Sequence, residues 1–248
     1  MKYAALCIMS KNQHKYLLEN INYHRKIGFQ HFFIYDNCSV PEISIKGNDI
    51  TIIKWSDSTN GSQVRAYQDC IKRTQDWEWV GFIDTDEYIV LKKHNDIKDF
   101  LKGYNEFGGV GIQWKCFGSS GHIKKQSNII QNFIHASETG DDRHIKSIVK
   151  PRHTIKPEGN PHAFSYKNGK YCVNENKKKI NGPFNQPYTY NLIQLNHYVT
   201  LSREDFEDKR KRGGGNMRNS NKLTEEFWNR FQKGKINTDI LDFLKRIE

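Results

Sequence analysis

Three carboxylates fall within one short stretch of the first half of the chain, at Asp84, Asp86 and Glu87. An apolar run over residues 79–83 leads directly into them. In an extended segment, side chains two positions apart point to the same side. Asp84 and Asp86 could therefore share one divalent cation, or divide their work between a cation and a ribose hydroxyl. The alternative is a solvent-exposed acidic turn, since so short a pattern often arises without function.

Alternating strands and helices must position these carboxylates. Apolar runs predict strands over residues 3–9, 31–35, 50–55 and 79–83, and helical spacing predicts helices over 12–27 and 62–75. This alternation favours an α/β fold with a mainly parallel sheet flanked by helices. Ligands of such sheets bind beyond the carboxyl ends of the strands. The acidic stretch follows one such end.

The pattern is less regular beyond residue 103. Strands are predicted over 110–117, 145–149 and 190–198, and helices over 202–212, 225–232 and 239–247. Three consecutive glycines at 213–215 predict a hinge after the helix that ends at Arg212. No linker divides the chain clearly, so one main domain is expected.

Composition restricts the partners and the compartment. The 248 residues carry a formal charge of +11, which favours an anionic partner such as a nucleotide diphosphate, an acidic glycan, nucleic acid or an anionic membrane. Five widely spaced cysteines without a CxxC pair predict reduced thiols and a cytoplasmic protein. The apolar run over 4–9 is too short for a signal peptide or a membrane span.

Several segments together resemble the GT-A glycosyltransferases, specifically the glycosyltransferase family 92-like group and related family 2 enzymes. The resemblance covers roughly residues 4–215, and Gln13 and Leu201 depart from the residues usual there, Glu and Lys. The matching segments, in chain order, are Lys11-Asn12 with Leu18-Glu19, Tyr23-His24 and Ile27-Gly28; Tyr35-Asp36-Asn37 with Ser39; residues 82–88; Trp114 with residues 117–121; residues 148–151; and His197-Tyr198 with Ser202, Phe206, Lys209 and Arg212-Gly213.

The resemblance implies a Rossmann-like GT-A domain over 1–215, with a nucleotide-binding half over 1–102 and an acceptor-binding half over 103–215. A C-terminal helical extension would occupy 216–248. The implied reaction moves a sugar from a nucleotide diphosphate sugar, first of all a UDP-sugar, to a glycan or glycolipid acceptor. Mn²⁺, or Mg²⁺ in its place, would be held by Asp84, Asp86 and His197. Peripheral contact with the inner face of a membrane is a further expectation.

Donor-binding residues follow from the same resemblance and from their positions at strand ends. For Asp36 the alternative is an Asx turn, for Arg65 a surface ion pair, and for the basic segment 209–212 a solvated helix end. We otherwise expect this segment to close over the donor diphosphate. The predicted donor-binding residues are Lys11, Asn12, Asp36, Arg65, Asp84, Lys209 and Arg212.

A catalytic base and an acceptor site are the remaining expectations. An inverting transfer needs a carboxylate to take the acceptor proton, and Glu138, Asp141 and Asp142 are the candidates, with a solvated acidic loop as the alternative. The sequence leaves inverting and retaining chemistry open. Sugar faces pack on aromatic rings. The predicted acceptor residues are Trp114, Phe117, Gly118 and His162, and the three with rings could equally belong to the core.

Two other functions agree with parts of the sequence. A nucleotidyltransferase would also use paired carboxylates, but it usually carries a Gly-rich basic loop after the first strand, where this chain has Ser10-Lys11-Asn12-Gln13. A nucleic-acid-binding module would agree with the net charge. No helix-turn-helix, zinc-finger or RNP pattern is present, so no nucleic-acid partner is expected.

Overall fold

The computed structural model describes residues 2–138, 141–212 and 223–248, without the side chains of Asp141 and Arg212. The first hundred residues alternate strands and helices as the sequence predicts. Their elements are β1 (Ala4–Ser10), α1 (His14–Lys26), β2 (His31–Asp36), β3 (Ile50–Lys54), α2 (Ser62–Arg73), β4 (Trp79–Asp84), β5 (Glu87–Leu91) and α3 (Ile97–Leu101).

The rest of the described chain is richer in strands than predicted. Its elements are β6 (Gly109–Phe117), β7 (His135–Ser137), β8 (Ile145–Val149), β9 (Thr154–Pro157), β10 (Phe164–Tyr166), β11 (Cys172–Val173), β12 (Lys179–Ile180), β13 (Ile193–Tyr198), α4 (Arg203–Arg212), α5 (Glu225–Arg230), β14 (Gly234–Ile236) and α6 (Asp239–Ile247).

Within the described residues, twelve of these strands form one sheet, whose main path runs β12-β11-β6-β8-β4-β1-β2-β3. The α/β class is confirmed. The parallel arrangement holds for β4-β1-β2-β3, whereas β8 runs antiparallel to both β4 and β6. The second half adds both kinds of pairing, since β11 and β13 run parallel to β6, whereas β7 runs antiparallel to it.

Burial explains why the central strands form. β1 is almost entirely buried, as expected for a parallel strand covered on both faces. Its register places Ser10 beside Asp36 of β2 and Met9 beside Asp84 of β4. Three strands therefore end at the same edge of the sheet, and polar side chains gather there.

Residues 223–248 pack on the main sheet. Strand β14 pairs with β7, and α6 buries Ile240 and Phe243 in the same core as Tyr23 of α1. The predicted boundary at 215 lies outside the described residues, and the segment that follows contains a strand as well as helices. In the described part of the chain, no helix is long and apolar enough to cross a membrane.

Candidate functional site

The acidic residues lie where β4 ends and β5 begins. Thr85 and Asp86 form a turn between the two strands, so the stretch is not extended through Asp86. Asn20 of α1 holds this turn, because its side-chain amide donates hydrogen bonds to the carbonyls of Thr85 at 3.1 Å and Glu87 at 2.7 Å. The expectation that Asp84 and Asp86 point to the same side assumed an extended backbone, and the two carboxylates contact different elements.

Asp86 faces β13 and α4. Its Oδ2 lies 3.2 Å from the Lys209 ammonium, and its Oδ1 lies 3.9 Å from Nε2 of His197. Strand β13 places His197 directly opposite Glu87 of β5. Burial lowers the pKa of His197 to about 4, although the Asp86 carboxylate opposes this shift. The imidazole is therefore neutral at pH 7 and able to bind a metal.

Asp84 faces α2 and β8 instead. Its Oδ1 accepts a hydrogen bond from Gln63 at 2.5 Å, and its Oδ2 accepts one from the Lys146 ammonium at 2.9 Å. Burial by itself would raise the pKa of Asp84, but the Lys146 charge outweighs it and holds this pKa well below its usual range. Lys146 itself is completely buried. The sequence analysis did not identify it as a site residue.

Glu87 is the third carboxylate and is fully buried. Its Oε2 accepts the backbone N–H of Asp84 at 2.8 Å and lies 3.7 Å from Lys146 Nζ. Burial raises the pKa of Glu87 to about 8; Lys146 opposes this rise, whereas the charges of Asp84 and Asp86 add to it. The Lys146 ammonium therefore lies close to the carboxyl groups of both Asp84 and Glu87, beneath the surface of the site.

The residues around Asp86 suit a divalent cation, although the predicted three-ligand set is not assembled. Among the described residues, no group of three or more His, Cys, Asp or Glu side chains is arranged to hold a metal. Asp84 is engaged by Gln63 and Lys146. A carboxylate oxygen of Asp86 and the neutral imidazole of His197 lie 3.9 Å apart, and these two groups would suit Mn²⁺ as ligands.

A cavity of about 310 Å³ opens beside Asp86. Residues 12–16, which lead into α1 and form its first turn, make one wall. Residues 199–201, which follow β13, make the other wall together with α4. Lys209 and Asp86 both line this cavity and lie 3.2 Å apart, and the donor-binding role of Lys209 stays a prediction. The lining residues are Asn12, Gln13, His14, Lys15, Tyr16, Asp86, Lys125, Val199, Thr200, Leu201, Asp205, Asp208 and Lys209.

The predicted donor residues at the ends of β1 and β2 divide into two groups. Asn12 lines the cavity, with half-buried Lys11 preceding it. Asp36, in contrast, accepts the backbone N–H groups of Ser39 at 3.0 Å and Ile43 at 2.8 Å. Both of its oxygens support the loop after β2, so the Asx-turn alternative describes Asp36 better than nucleotide binding.

Arg65 and Arg212 complete the donor predictions. Arg65 pairs with Asp57 at 2.6 Å, and its side chain is 46% exposed, so the surface ion pair is the better description of this residue. It also donates to the carbonyl of Asn60, which fixes the loop before α2. The side chain of Arg212 and the glycines at 213–215 lie outside the described residues.

Two of the three predicted bases contact other parts of the protein through their carboxylates. Glu138 forms an exposed ion pair with Lys235 beyond β7. Asp142 is buried, and its oxygens accept hydrogen bonds from the backbone of Cys116 at 2.8 Å and the hydroxyl of Tyr190 at 2.9 Å. Its carboxylate therefore has a structural role. The side chain of Asp141 is outside the described residues.

The predicted acceptor residues lie in two different environments. The Trp114 ring lies 4.1 Å from that of His197 and 5.2 Å from that of His162, so these aromatic side chains adjoin the acidic residues. Phe117, however, is fully buried and packs in the core. Gly118 permits close packing instead, since a Cβ there would lie 2.0 Å from the carbonyl oxygen of Phe231.

Comparison with known proteins identifies the family. A sequence model of glycosyltransferase family 92 matches residues 2–233. The chain belongs to glycosyltransferase family 92. It is 29% identical to a family 92 protein of Oryza sativa subsp. japonica over 82% of this chain and 34% of that protein. A Ricinus communis family 92 protein is also 29% identical, over 82% of this chain and 36% of its own length.

This family 92 chain spans about a third of the length of those relatives. Among solved structures, it is similar to Rv0371C of Mycobacterium tuberculosis H37Rv in complex with manganese, with 8% identity and a TM-score of 0.31. That match covers 46% of this chain and 65% of the other. A likeness at this level carries no argument about function.

Proposed function

We propose that this family 92 chain is a GT-A glycosyltransferase that transfers a sugar from a nucleotide diphosphate sugar, a UDP-sugar in the first instance, to a hydroxyl group of a glycan or glycolipid. One observation carries the proposal. Asp86, His197 and Lys209 converge at the edge where parallel strands end, beside a cavity of about 310 Å³. That edge is where open α/β sheets bind ligands.

Asp86 and His197 would hold Mn²⁺, or Mg²⁺ in its place. When bound, the cation stabilises the negative charge that develops on the departing nucleotide diphosphate. Lys209 lies 3.2 Å from Asp86 in the ligand-free arrangement and is close enough to donate to a phosphate oxygen beside that carboxylate. Asp84 keeps an open side, with 32% of its side chain exposed, and would accept a hydrogen bond from a donor hydroxyl there.

The acceptor would bind on the other side of His197. Trp114 and His162 form an aromatic wall there, and burial, followed in importance by the Lys146 charge, lowers the pKa of His162 to about 3. A neutral imidazole and an indole suit the apolar face of a sugar. Peripheral binding to the inner face of a membrane would bring a glycolipid acceptor to this wall.

The test is a donor screen with purified protein. Nucleotide diphosphate sugars are titrated with and without Mn²⁺, followed by a transfer assay that detects the released nucleoside diphosphate and the glycosylated product. We expect a UDP-sugar to bind with Mn²⁺, and Asp86→Asn to lower turnover by at least about 100-fold, because charge stabilisation of this kind contributes about 3 kcal/mol.

Glu42→Gln is the matched control, because Glu42 pairs with Lys54 on the surface, with 66% and 77% of the two side chains exposed. This variant should keep wild-type turnover. Near-normal transfer by Asp86→Asn would refute the role of Asp86, and a wild-type protein that binds no nucleotide diphosphate sugar would refute the proposed function.

A further inference from the structure

Lys146 is a completely buried lysine beside the candidate site. It lies on β8, and its side chain is fully buried, whereas the Asp84 side chain with which it pairs is 32% exposed. The ammonium therefore lies beneath the carboxylate, on the side away from solvent. A buried lysine is rare unless it is paired, and here Asp84 at 2.9 Å and Glu87 at 3.7 Å provide the pairing.

The surroundings of Asp84 leave its carboxylate one orientation. Lys146 holds Oδ2, and Gln63 holds Oδ1 at 2.5 Å. Tyr67 adds a longer contact to Oδ1 at 3.4 Å, and its ring lies 5.8 Å from the lysine nitrogen. These donors come from β8 and α2, so two elements fix one side chain at the end of a third.

We propose that Lys146 is a positioning residue for donor binding. It holds Asp84 with its open side toward the donor and supplies the charge that lets Asp84 and Glu87 lie together in a buried region. The proposal rests on the function proposed above and adds a residue to it. Lys146 acts through Asp84, whereas the metal depends on Asp86 and His197. Removing Lys146 should therefore weaken nucleotide binding while Mn²⁺ binding persists.

The main test uses the double variant Lys146→Met/Glu87→Gln, which removes the buried ammonium and places a neutral amide where burial, by raising the pKa to about 8, already keeps the Glu87 carboxyl largely protonated at pH 7. The amide oxygen that Glu87→Gln introduces can still accept the Asp84 N–H, so the turn keeps its hydrogen bond. Titration calorimetry with UDP and Mn²⁺ should show a UDP dissociation constant raised by about 10-fold. Titration with Mn²⁺ alone should show a change within about twofold.

Two matched variants separate positioning from general stability. Glu87→Gln alone leaves Lys146 on Asp84 and should bind UDP within about threefold of wild type. Lys150→Met removes a second buried lysine, which pairs at 2.9 Å with Glu78 at the opposite end of β4 from Asp84, and should bind UDP as wild type does. Lys146→Gln is the second probe of the site, because it keeps a donor toward Asp84 without the charge, and it should also bind UDP more weakly.

Each outcome decides the role of Lys146. Unchanged UDP binding by the double variant would overturn it, as would an equal loss of Mn²⁺ and UDP binding. If neither Lys146 variant folds while Lys150→Met does, the lysine is structural only and the positioning role is wrong. A wild-type protein that binds Mn²⁺ but no nucleoside diphosphate would overturn the proposed function itself, and the role of Lys146 with it.

Discussion

Asp86 and His197 differ from the other polar residues of the site in what they contact. Most of the buried carboxylates described above accept two or more hydrogen bonds from the protein, as Asp36 and Asp142 do. Asp86 has a lysine contact at 3.2 Å on one oxygen and the imidazole at 3.9 Å from the other, a separation too long for a hydrogen bond. This gap is the reason to place a cation between them.

His197→Ala should raise the dissociation constant for Mn²⁺ by about 10-fold or more, which corresponds to about 1.4 kcal/mol, because a ligand is lost. Isothermal titration calorimetry with MnCl₂ measures this dissociation constant. The same titration with Mg²⁺ should show a smaller effect, since imidazole is a poorer ligand for Mg²⁺. His162→Ala is the matched control, because His162 is a half-buried imidazole that also packs against Trp114. Equal Mn²⁺ affinities for His197→Ala and wild type would remove His197 from the metal site.

At this scale the sequence indicated the acidic pair and the histidine but not the lysine. Lys146 stands between Ile145 and Ser147 in a strand whose five residues are all buried. A lysine inside a buried strand is itself a signal of a buried ion pair, and the strand was predicted. Its partner could not be, because Asp84 is 62 positions away in the chain and antiparallel pairing of β4 with β8 brings the two together.

Helix α1 connects the core to the candidate site. Its buried His24 accepts the N–H of Ile89 at 3.2 Å through Nε2, and Nδ1 faces the carbonyl of Asn20 at 2.9 Å. The ring is therefore neutral with its proton on Nδ1. Asn20 in turn holds the turn that carries Asp86. The prediction of a helix here was confirmed, but its polar face could not be assigned from periodicity, since buried Asn and His weaken the apolar pattern.

Folding stability should fall as the pH is lowered, because burial reduces the pKa of His24 to about 3 in the folded protein. In the unfolded chain the pKa of histidine is about 6.5, so His24 takes up a proton there as the pH falls below this value, whereas in the folded protein it stays neutral. This difference lowers the free energy of unfolding as the pH falls. Between pH 7 and pH 5 the loss from His24 is about 2 kcal/mol. Urea unfolding at the two pH values measures it.

His24→Gln should reduce this loss between pH 7 and pH 5, since the substituted side chain does not titrate. His94→Gln should retain it, because His94 is only half-buried and contacts Phe100 at the other end of β5. A wild-type pH dependence in the His24 variant would contradict the assignment of a neutral buried imidazole.

On the scale of the whole molecule, the C-terminal segment belongs to the core. Phe243 is 2% exposed and lies 6.5 Å from Tyr23 of α1, ring centre to ring centre. Arg246 donates to the carbonyls of Leu91 and Lys92 at 2.7 Å, so α6 is fixed against the end of β5. The sequence predicted this helix with its observed bounds but not its docking, because a helical pattern carries no information about the surface that it covers.

Phe243→Ala should lower the free energy of unfolding by about 3–5 kcal/mol, the usual cost of removing a buried phenyl ring. Ile236→Ala, in the same segment but with 65% of the residue exposed, should change it by less than about 0.5 kcal/mol. Chemical denaturation of both variants measures the two changes in the free energy of unfolding. Similar small effects would make residues 223–248 a peripheral extension, as the sequence alone indicated.

The acidic turn between β4 and β5 takes its positive partners from distant parts of the chain. Asp84 is neutralised by Lys146, and Asp86 lies against Lys209, so both lysines follow the carboxylates by more than 60 positions. A chimaera that joined residues 1–102 to the second half of a diverged relative would inherit the negative charges without a guarantee of their counter-ions. Exchanging residues 103–248 of this chain would therefore separate Asp84 and Asp86 from the two lysines that lie against them.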